Sequence, residues 1–295
     1  MEEYQYLDLL KRLLDQGHHR QTRNGIVYSM FGAQLQFDLK NWTLPLLTTK
    51  RVFLKSIFEE LMFFIRGQTD TTILQEKGIH IWDSNTSRQF LDDHGFEHYP
   101  TNSMGAMYGH NWLHYGCDYV APDTDYKGYN QLEATIKLLK TDIYSRRILM
   151  TTFDPSRADQ GVLYPCHSII LQWYVEGDNR LSVHTYIRSS DVFLDLNFNQ
   201  TSISLFCMLM CQTLNIDPEF NPKLEPGRVI ISLGDYHIYD KPDHIAGAKE
   251  QISRIPYPFP TLKIKPNTNI AAYQWEDLEL INYKHHPAIN AKMVA

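Results

Sequence analysis

Apolar residues recur at helical spacing over residues 6–14, where Leu7, Leu10 and Leu14 share a face, and over residues 56–65, with Ile57, Leu61 and Phe64. The same spacing predicts a helix over residues 130–140 from Leu132, Ile136 and Leu139. Residues 199–214 are apolar nearly all round, which predicts a long buried helix. Runs rich in β-branched and aromatic residues predict strands at 26–37, 148–153, 169–175, 181–186 and 229–238. Glu176-Gly177-Asp178-Asn179 has turn composition, so the strands on either side should pair antiparallel. The expected fold is α+β: one domain over residues 1–295, with a large mixed or antiparallel sheet covered by helices. No repeat, low-complexity tract or linker divides it.

Composition narrows the function. The chain has 295 residues, 43% hydrophobic and 21% charged, in the range of an ordinary globular protein. A net charge of -6 argues against a DNA or other nucleic-acid surface, so any bound anion has to be met by local arginines. The acidic start Met1-Glu2-Glu3-Tyr4 lacks a secretory pattern, and the apolar run at 203–211 falls short of the roughly 18 residues of a membrane span. Cys117, Cys166, Cys207 and Cys211 form no CxxC pair, so reduced thiols in a cytoplasmic protein are expected rather than a disulfide frame or a zinc ribbon. His94/His98 and His110/His114 have HxxxH spacing but no HExxH glutamate, and both lie beside Gly or Pro where a helix is not expected. No metal site is therefore predicted. The adjacent pairs His18-His19 and His285-His286 are expected in loops.

Candidate chemistry centres on Leu163-Tyr164-Pro165-Cys166-His167, which sets a thiol beside an imidazole at the edge of a predicted strand. The thiolate is the reactive form of cysteine, and neighbouring Arg or His⁺ charge favours it. A buried, inert cysteine is the competing reading. Arginines occur in polar company at Arg23-Asn24-Gly25, Ser145-Arg146-Arg147 and Arg188-Ser189-Ser190-Asp191, and their convergence would build an anion pocket. Strand alternation puts His237 and Tyr239 on one face, a pair suited to a sugar hydroxyl. Asn199 stands where the long apolar helix should begin, so a plain N-cap is its bland alternative.

Taken jointly, these stretches resemble the folate-dependent, non-flavin thymidylate synthases. The resemblance rests on Pro45-Leu46-Leu47-Thr48-Thr49-Lys50-Arg51-Val52, Glu59-Glu60-Leu61-Met62-Phe63-Phe64, Ile81-Trp82-Asp83, Tyr108-Gly109, Ser145-Arg146-Arg147, Pro165-Cys166-His167, Arg188-Ser189-Ser190-Asp191, Phe198-Asn199, the segment from Leu233 to Tyr239, and His286-Pro287-Ala288-Ile289. The matches keep the family's order along nearly the whole chain. The resemblance implies that Cys166 attacks C6 of dUMP, whose C5 then takes a one-carbon unit from 5,10-methylenetetrahydrofolate, with no metal. It implies a phosphate clamp of Arg188 with Arg23 and Ser189, joined by Arg146 and Arg147 from the partner in a homodimer. His167, Ser190 and Asp191 join the nucleotide site, and His237 and Tyr239 hold the sugar. Tyr108 and Glu60 handle protons, with Asp191 and Arg188 beside them at the reacting centre. Asn199 reads the base, because uracil offers an acceptor at O4 and a donor at N3. Ile81, Trp82, Asp191, Leu194, Asp195, Phe198 and the tail ending in Ala295 face the folate.

Several positions depart from the family pattern. Ile187 replaces a usual Gln, Asp195 and Asn197 replace Gly and Pro, and Phe153-Asp154 replaces Trp-Asn. Tyr164 and Ala106 replace prolines, the first phosphate loop is one residue short, and Ala295 ends the chain where a larger apolar residue is common. Most of these surround the folate, so two other outcomes stay open at this point. One is water in place of hydride, giving 5-hydroxymethyl-dUMP; the other is a non-catalytic nucleotide- or RNA-binding paralogue.

Overall fold

The computed structural model describes residues 2–294, so the expectation for Ala295 lies outside the described residues. In chain order the elements are α1 (Tyr4–Gln16), β1 (His18–Thr22), β2 (Gly25–Asp38), α2 (Leu54–Ile65), the short helices α3 (Thr72–Gln75), α4 (Asp83–Thr86) and α5 (Arg88–Asp93), then α6 (Tyr108–Leu113) and α7 (Gln131–Thr141). There follow β3 (Leu149–Thr151), β4 (Ile170–Val175), β5 (Arg180–Asp191), α8 (Leu196–Asn215), β6 (Glu225–Tyr239), α9 (Pro242–Ser253), β7 (Thr261–Ile264) and β8 (Leu278–Ile281). All four predicted helices and all five predicted strands are present, in a mixed α+β arrangement.

Six strands form one sheet in the order β1-β2-β6-β5-β4-β3, and β7 and β8 form a separate ribbon. Every pair in the large sheet is antiparallel except β5 with β6. The β4–β5 hairpin turns at the expected place, with Asn179 at φ 62°, a left-handed conformation Asn tolerates. The β5–β6 connection is α8, whose side chains are buried on almost every face, as the apolar run requires. Phe206 of α8 stacks on Trp112 at 5.3 Å and meets Trp173 of β4 edge-on at 5.1 Å, so this aromatic cluster ties helix to sheet.

The differences from expectation have physical causes. The His18-His19 pair lies on β1 and not in a loop; this edge strand is exposed on both faces, so it shows no apolar alternation. Likewise α9 buries His244, Gly247, Ala248 and Gln251, a small and polar face that leaves no hydrophobic stripe to read. His110 lies inside α6 despite Gly109, and its buried ring bonds the Cys117 carbonyl at 3.1 Å through Nε2. Among the described residues, no three His, Cys, Asp or Glu side chains gather as a metal-holding group. Among them, too, no helix is long and apolar enough to cross a membrane.

One buried carboxylate positions the loop before α2. Glu3 accepts the backbone N–H groups of Thr48 and Thr49, each at 2.9 Å, and both hydroxyls, each at 2.6 Å. These bonds satisfy a buried charge that would otherwise be costly. They also fix Lys50, whose ammonium reaches the Phe193 carbonyl in the segment after β5.

Candidate active site

The parallel pairing of β5 and β6 brings their carboxyl ends together, with Ser189 opposite Asp235, Ser190 opposite Tyr236 and Asp191 opposite His237. Ligands of mixed and parallel sheets gather at such ends. Gly234 permits this approach, because a Cβ there would lie 2.6 Å from the Tyr186 hydroxyl and 2.7 Å from the Arg188 carbonyl. Cys166 enters from the segment leading into β4, and its carbonyl accepts the Arg188 N–H at 2.9 Å.

Arg188 holds the nucleophile loop. Its Nε donates to the Pro165 carbonyl and one terminal nitrogen to the Tyr164 carbonyl, both at 2.7 Å. This spends two arms of the fork on the two residues before Cys166 and leaves the rest for an anion. Tyr108, the first residue of α6, stands on the other side. Its hydroxyl lies 3.5 Å from Cys166 Sγ and accepts the Cys166 N–H at 3.2 Å. The Tyr108 ring is held between Phe64, at 4.7 Å, and His167, at 4.1 Å and nearly parallel.

The electrostatics correct one expectation. Burial raises the Cys166 thiol to about 11, reinforced by the Asp195 carboxylate and only partly opposed by Tyr108 and Arg188. His167 supplies no cationic help, since burial lowers it to about 3 and its Nδ1 is paired with Ser168 Oγ at 3.0 Å. In the free protein the thiol therefore keeps its proton. His167 serves as the packing surface behind Tyr108.

Two carboxyls with raised values border the site. Glu60 of α2 accepts the Trp82 indole N–H at 2.8 Å; burial raises it to about 7, against that bond, and Asp195 adds to the rise. Asp195 is pushed up to about 6 by burial and by Asp191, and accepts the Ser190 hydroxyl at 3.1 Å. Trp82 lies 6.5 Å from the Tyr108 ring, so Glu60, Trp82, Tyr108 and Cys166 form a continuous line. Because the folded Glu60 value lies above its ordinary 4.5, the stability it contributes is full below about pH 4.5 and is lost as pH rises through about 7. Glu60→Gln is therefore expected to raise the unfolding midpoint near pH 8 while leaving it unchanged near pH 4. Scanning calorimetry at both pH values checks this, and an unchanged or lower midpoint near pH 8 would contradict it.

The remaining candidates divide. Asn199 lies within the first turn of α8 and is not its N-cap; Asp195 occupies that position. Asn199 is 3% exposed and its amide nitrogen has no partner among the described residues. His237 and Tyr239 do share a face, with ring centroids 5.5 Å apart. Arg23 sits exposed in the turn between β1 and β2, close enough to Tyr239 to affect its hydroxyl. Arg146 and Arg147 are exposed just before β3, at the opposite edge of the sheet from β1. Ile81, Trp82, Leu194 and Phe198 are exposed or half-buried. Ile187 packs fully into the core, and Tyr164 points outward with only its carbonyl used.

Three residues were not anticipated. Asp235 accepts from His237 Nδ1 at 2.7 Å and Ser29 Oγ at 2.9 Å; these bonds and nearby cations outweigh its burial and keep it below the usual carboxylate range. The alternation that paired His237 with Tyr239 also applies to Asp235. Lys50 is lowered to about 8 by burial despite Asp191, and nothing in the sequence pattern set it apart from the adjacent Arg51. Buried His244 bonds the Lys292 carbonyl through Nε2 at 2.8 Å and turns Nδ1 toward Asp191 Oδ2 at 3.9 Å; nothing in the pattern marked it.

A thiol, a guanidinium, two raised carboxyls and an unpartnered amide at one end of a mixed sheet equip a group-transfer enzyme for a small anionic ring substrate. A family model described as thymidylate synthase matches residues 4–295. Thymidylate synthase of Saccharomyces cerevisiae is 42% identical over 305 residues, covering 99% of this chain and 97% of that protein. The Candida albicans thymidylate synthase is 40% identical with the same coverage of both chains. The bifunctional dihydrofolate reductase-thymidylate synthase of Leishmania major is 38% identical, and this chain spans 55% of its length. The chain belongs to the thymidylate synthase family. It is an enzyme of that type, forming dTMP by methylation of dUMP with a folate; completion by water is not favoured.

Proposed function

We propose that 5,10-methylenetetrahydrofolate is the one-carbon donor, that Cys166 carries dUMP as a covalent adduct, and that the enzyme works as a homodimer. The observation that carries the covalent reading is the immobilised thiol, with Tyr108 Oη 3.5 Å from Sγ and Arg188 bonded to both carbonyls before it. A nucleophile held this way gains most of the rate advantage of orientation. Sγ passes its proton to solvent and bonds to C6, while the C5=C6 pair becomes a C4=C5 bond and the C4 carbonyl pair moves onto the oxygen, giving an enolate. C5 thereby becomes the nucleophile, and re-forming the C5=C6 bond later expels Sγ.

Each remaining residue has a role consistent with its place. Arg188, with Arg23 and Ser189, binds the phosphate; His237 and Tyr239, oriented by Asp235, bind the sugar. Asn199 pairs with O4 and N3 of the base. Tyr108 stands nearest the thiol to relay the C5 proton, and Glu60, poised near neutrality, exchanges protons with the ring oxygen. The folate supplies both the one-carbon unit and the hydride when bound. Residues present fit it: Asp191 Oδ1 is taken by the Phe193 and Leu194 N–H groups, while Oδ2, 3.9 Å from His244 Nδ1, makes no hydrogen bond among the described residues and is the acceptor left for a pterin N–H. Trp82, Leu194, Phe198 and Ile81 supply the apolar wall that would keep water away. The test is spectroscopic: each dTMP formed should be matched by one dihydrofolate, and nucleotide product without dihydrofolate would overturn hydride transfer.

The dimer rests on the open face of the sheet. Ile170, Tyr174 and Tyr186, on the face of β4 and β5 turned away from the core, project their side chains to solvent. Such a patch is typical of an association surface, and Arg146 and Arg147 would extend across it into the partner's phosphate site. Mixing inactive Cys166→Ala with an inactive Arg146→Ala/Arg147→Ala variant should then restore activity, up to about a quarter of the parental value if subunits exchange at random. A mixture that exchanges subunits yet stays inactive would contradict shared sites.

A further inference from the structure

Asp195 is placed to do something other than cap a helix. It occupies the N-cap position of α8, where Asp ordinarily accepts an amide of the first turn, yet its side chain makes no capping bond. Its carboxyl is turned the other way, onto the Ser190 hydroxyl at 3.1 Å. Ser190 is itself 2% exposed at the end of β5, so the carboxyl is fixed from the sheet side. The Asn199 amide comes in from α8. The Asn199 backbone N–H bonds the Asp195 carbonyl at 3.3 Å, one turn along α8, and its buried amide nitrogen has no partner among the described residues.

That arrangement bears on an ambiguity of amides. An Asn side chain reads uracil with Oδ1 and the N–H lying on the same edge, and it reads the reversed pattern of cytosine equally well once flipped. The second N–H, on the far side of the nitrogen, takes no part in reading the base. We propose that Asp195 is a positioning residue for base selection: its carboxyl, anchored by Ser190, accepts that outer N–H of Asn199 and thereby keeps the amide in the uracil-reading orientation. A flipped amide would set Oδ1 against the carboxylate, two acceptors facing each other with no proton between them. Selectivity is then built by repulsion of the wrong state as well as by attraction of the right one.

The inference rests on Asn199 being the base-reading amide, and the test separates the two claims. Dissociation constants for dUMP and dCMP are measured by titration calorimetry on the parent, Asn199→Ala, Asp195→Ala and the double variant. The Asn199→Ala variant should lose most of the preference for dUMP; if the preference is intact, the base-reading assignment fails and the inference with it. Asp195→Ala is expected to reduce the dUMP-to-dCMP preference about tenfold, and to change it no further when Asn199 is already Ala. A purely structural role would weaken both nucleotides alike, so an unchanged ratio in Asp195→Ala overturns the proposal. Should that variant not fold, Asp195→Asn keeps size and one acceptor; a preference reduced about threefold supports the proposal, and an unchanged one overturns it.

Discussion

Cys166→Ala is expected to lower turnover of dUMP by on the order of 10⁴-fold or more, the scale seen when a covalent nucleophile is removed from a preorganised site. Nucleotide binding should survive, because the phosphate, sugar and base contacts assigned to Arg188, His237, Tyr239 and Asn199 do not use the sulfur. The expected signature is thus a collapse of kcat with a dUMP dissociation constant within a few-fold of the parent. Cys166→Ser should be nearly as inactive. The thiol already sits near 11 in the free protein, and a hydroxyl in the same surroundings is harder still to ionise. Steady-state rates and calorimetric binding on the same preparations check both halves. Turnover within tenfold of the parent in the Ala variant would remove Cys166 from the chemistry.

The second large effect is expected at Arg188, and it should differ in kind. Arg188 both binds the two carbonyls before Cys166 and, in the proposed function, clamps the phosphate. Lysine keeps the charge but presents a single point donor and cannot reproduce the fork. Arg188→Lys should therefore raise the dUMP dissociation constant modestly. It should also lower kcat by on the order of 10²-fold, the cost of a nucleophile misplaced by about an ångström. A variant weakened only in binding, with kcat intact, would show that the tether to Tyr164 and Pro165 is incidental.

Much of this was legible in the sequence, for reasons that differ by element. Helices α1, α2, α7 and α8 carry apolar stripes or all-round apolarity, so core burial wrote their positions into the chain. Strands β2, β4, β5 and β6 are legible because β-branched and aromatic residues fill them, although β5 runs on to Asp191 through polar residues that composition does not mark as strand. By contrast β1 is wet on both faces and α9 buries small and polar groups, so neither had a hydrophobic period to show.

The site was legible as a set of side chains but not as an electrostatic field. Cys166 and Arg188 are joined through the loop before β4, His237 and Tyr239 share a face of β6, and Asn199 lies in the first turn of α8. What the residues alone could not disclose was burial. Burial makes His167 a neutral packing ring and raises the Cys166 thiol instead of activating it. It also brings Glu60 and Asp195 toward neutrality. Asp195 stood out in the chain as an unexpected carboxyl beside the folate surface. Its carboxyl accepts the Ser190 hydroxyl at 3.1 Å, the contact on which the proposed link to Asn199 rests.

The central claim is that Cys166 bonds covalently to the pyrimidine during turnover. A 5-fluorinated dUMP tests it most directly, because fluorine at C5 cannot leave as a proton and the adduct should persist. After incubation with this nucleotide and methylenetetrahydrofolate, the intact mass of the protein should rise by the sum of both, with the label on the peptide containing Pro165-Cys166-His167. No mass increase, or a label on Cys117, Cys207 or Cys211 with Cys166 unmodified, would contradict the account.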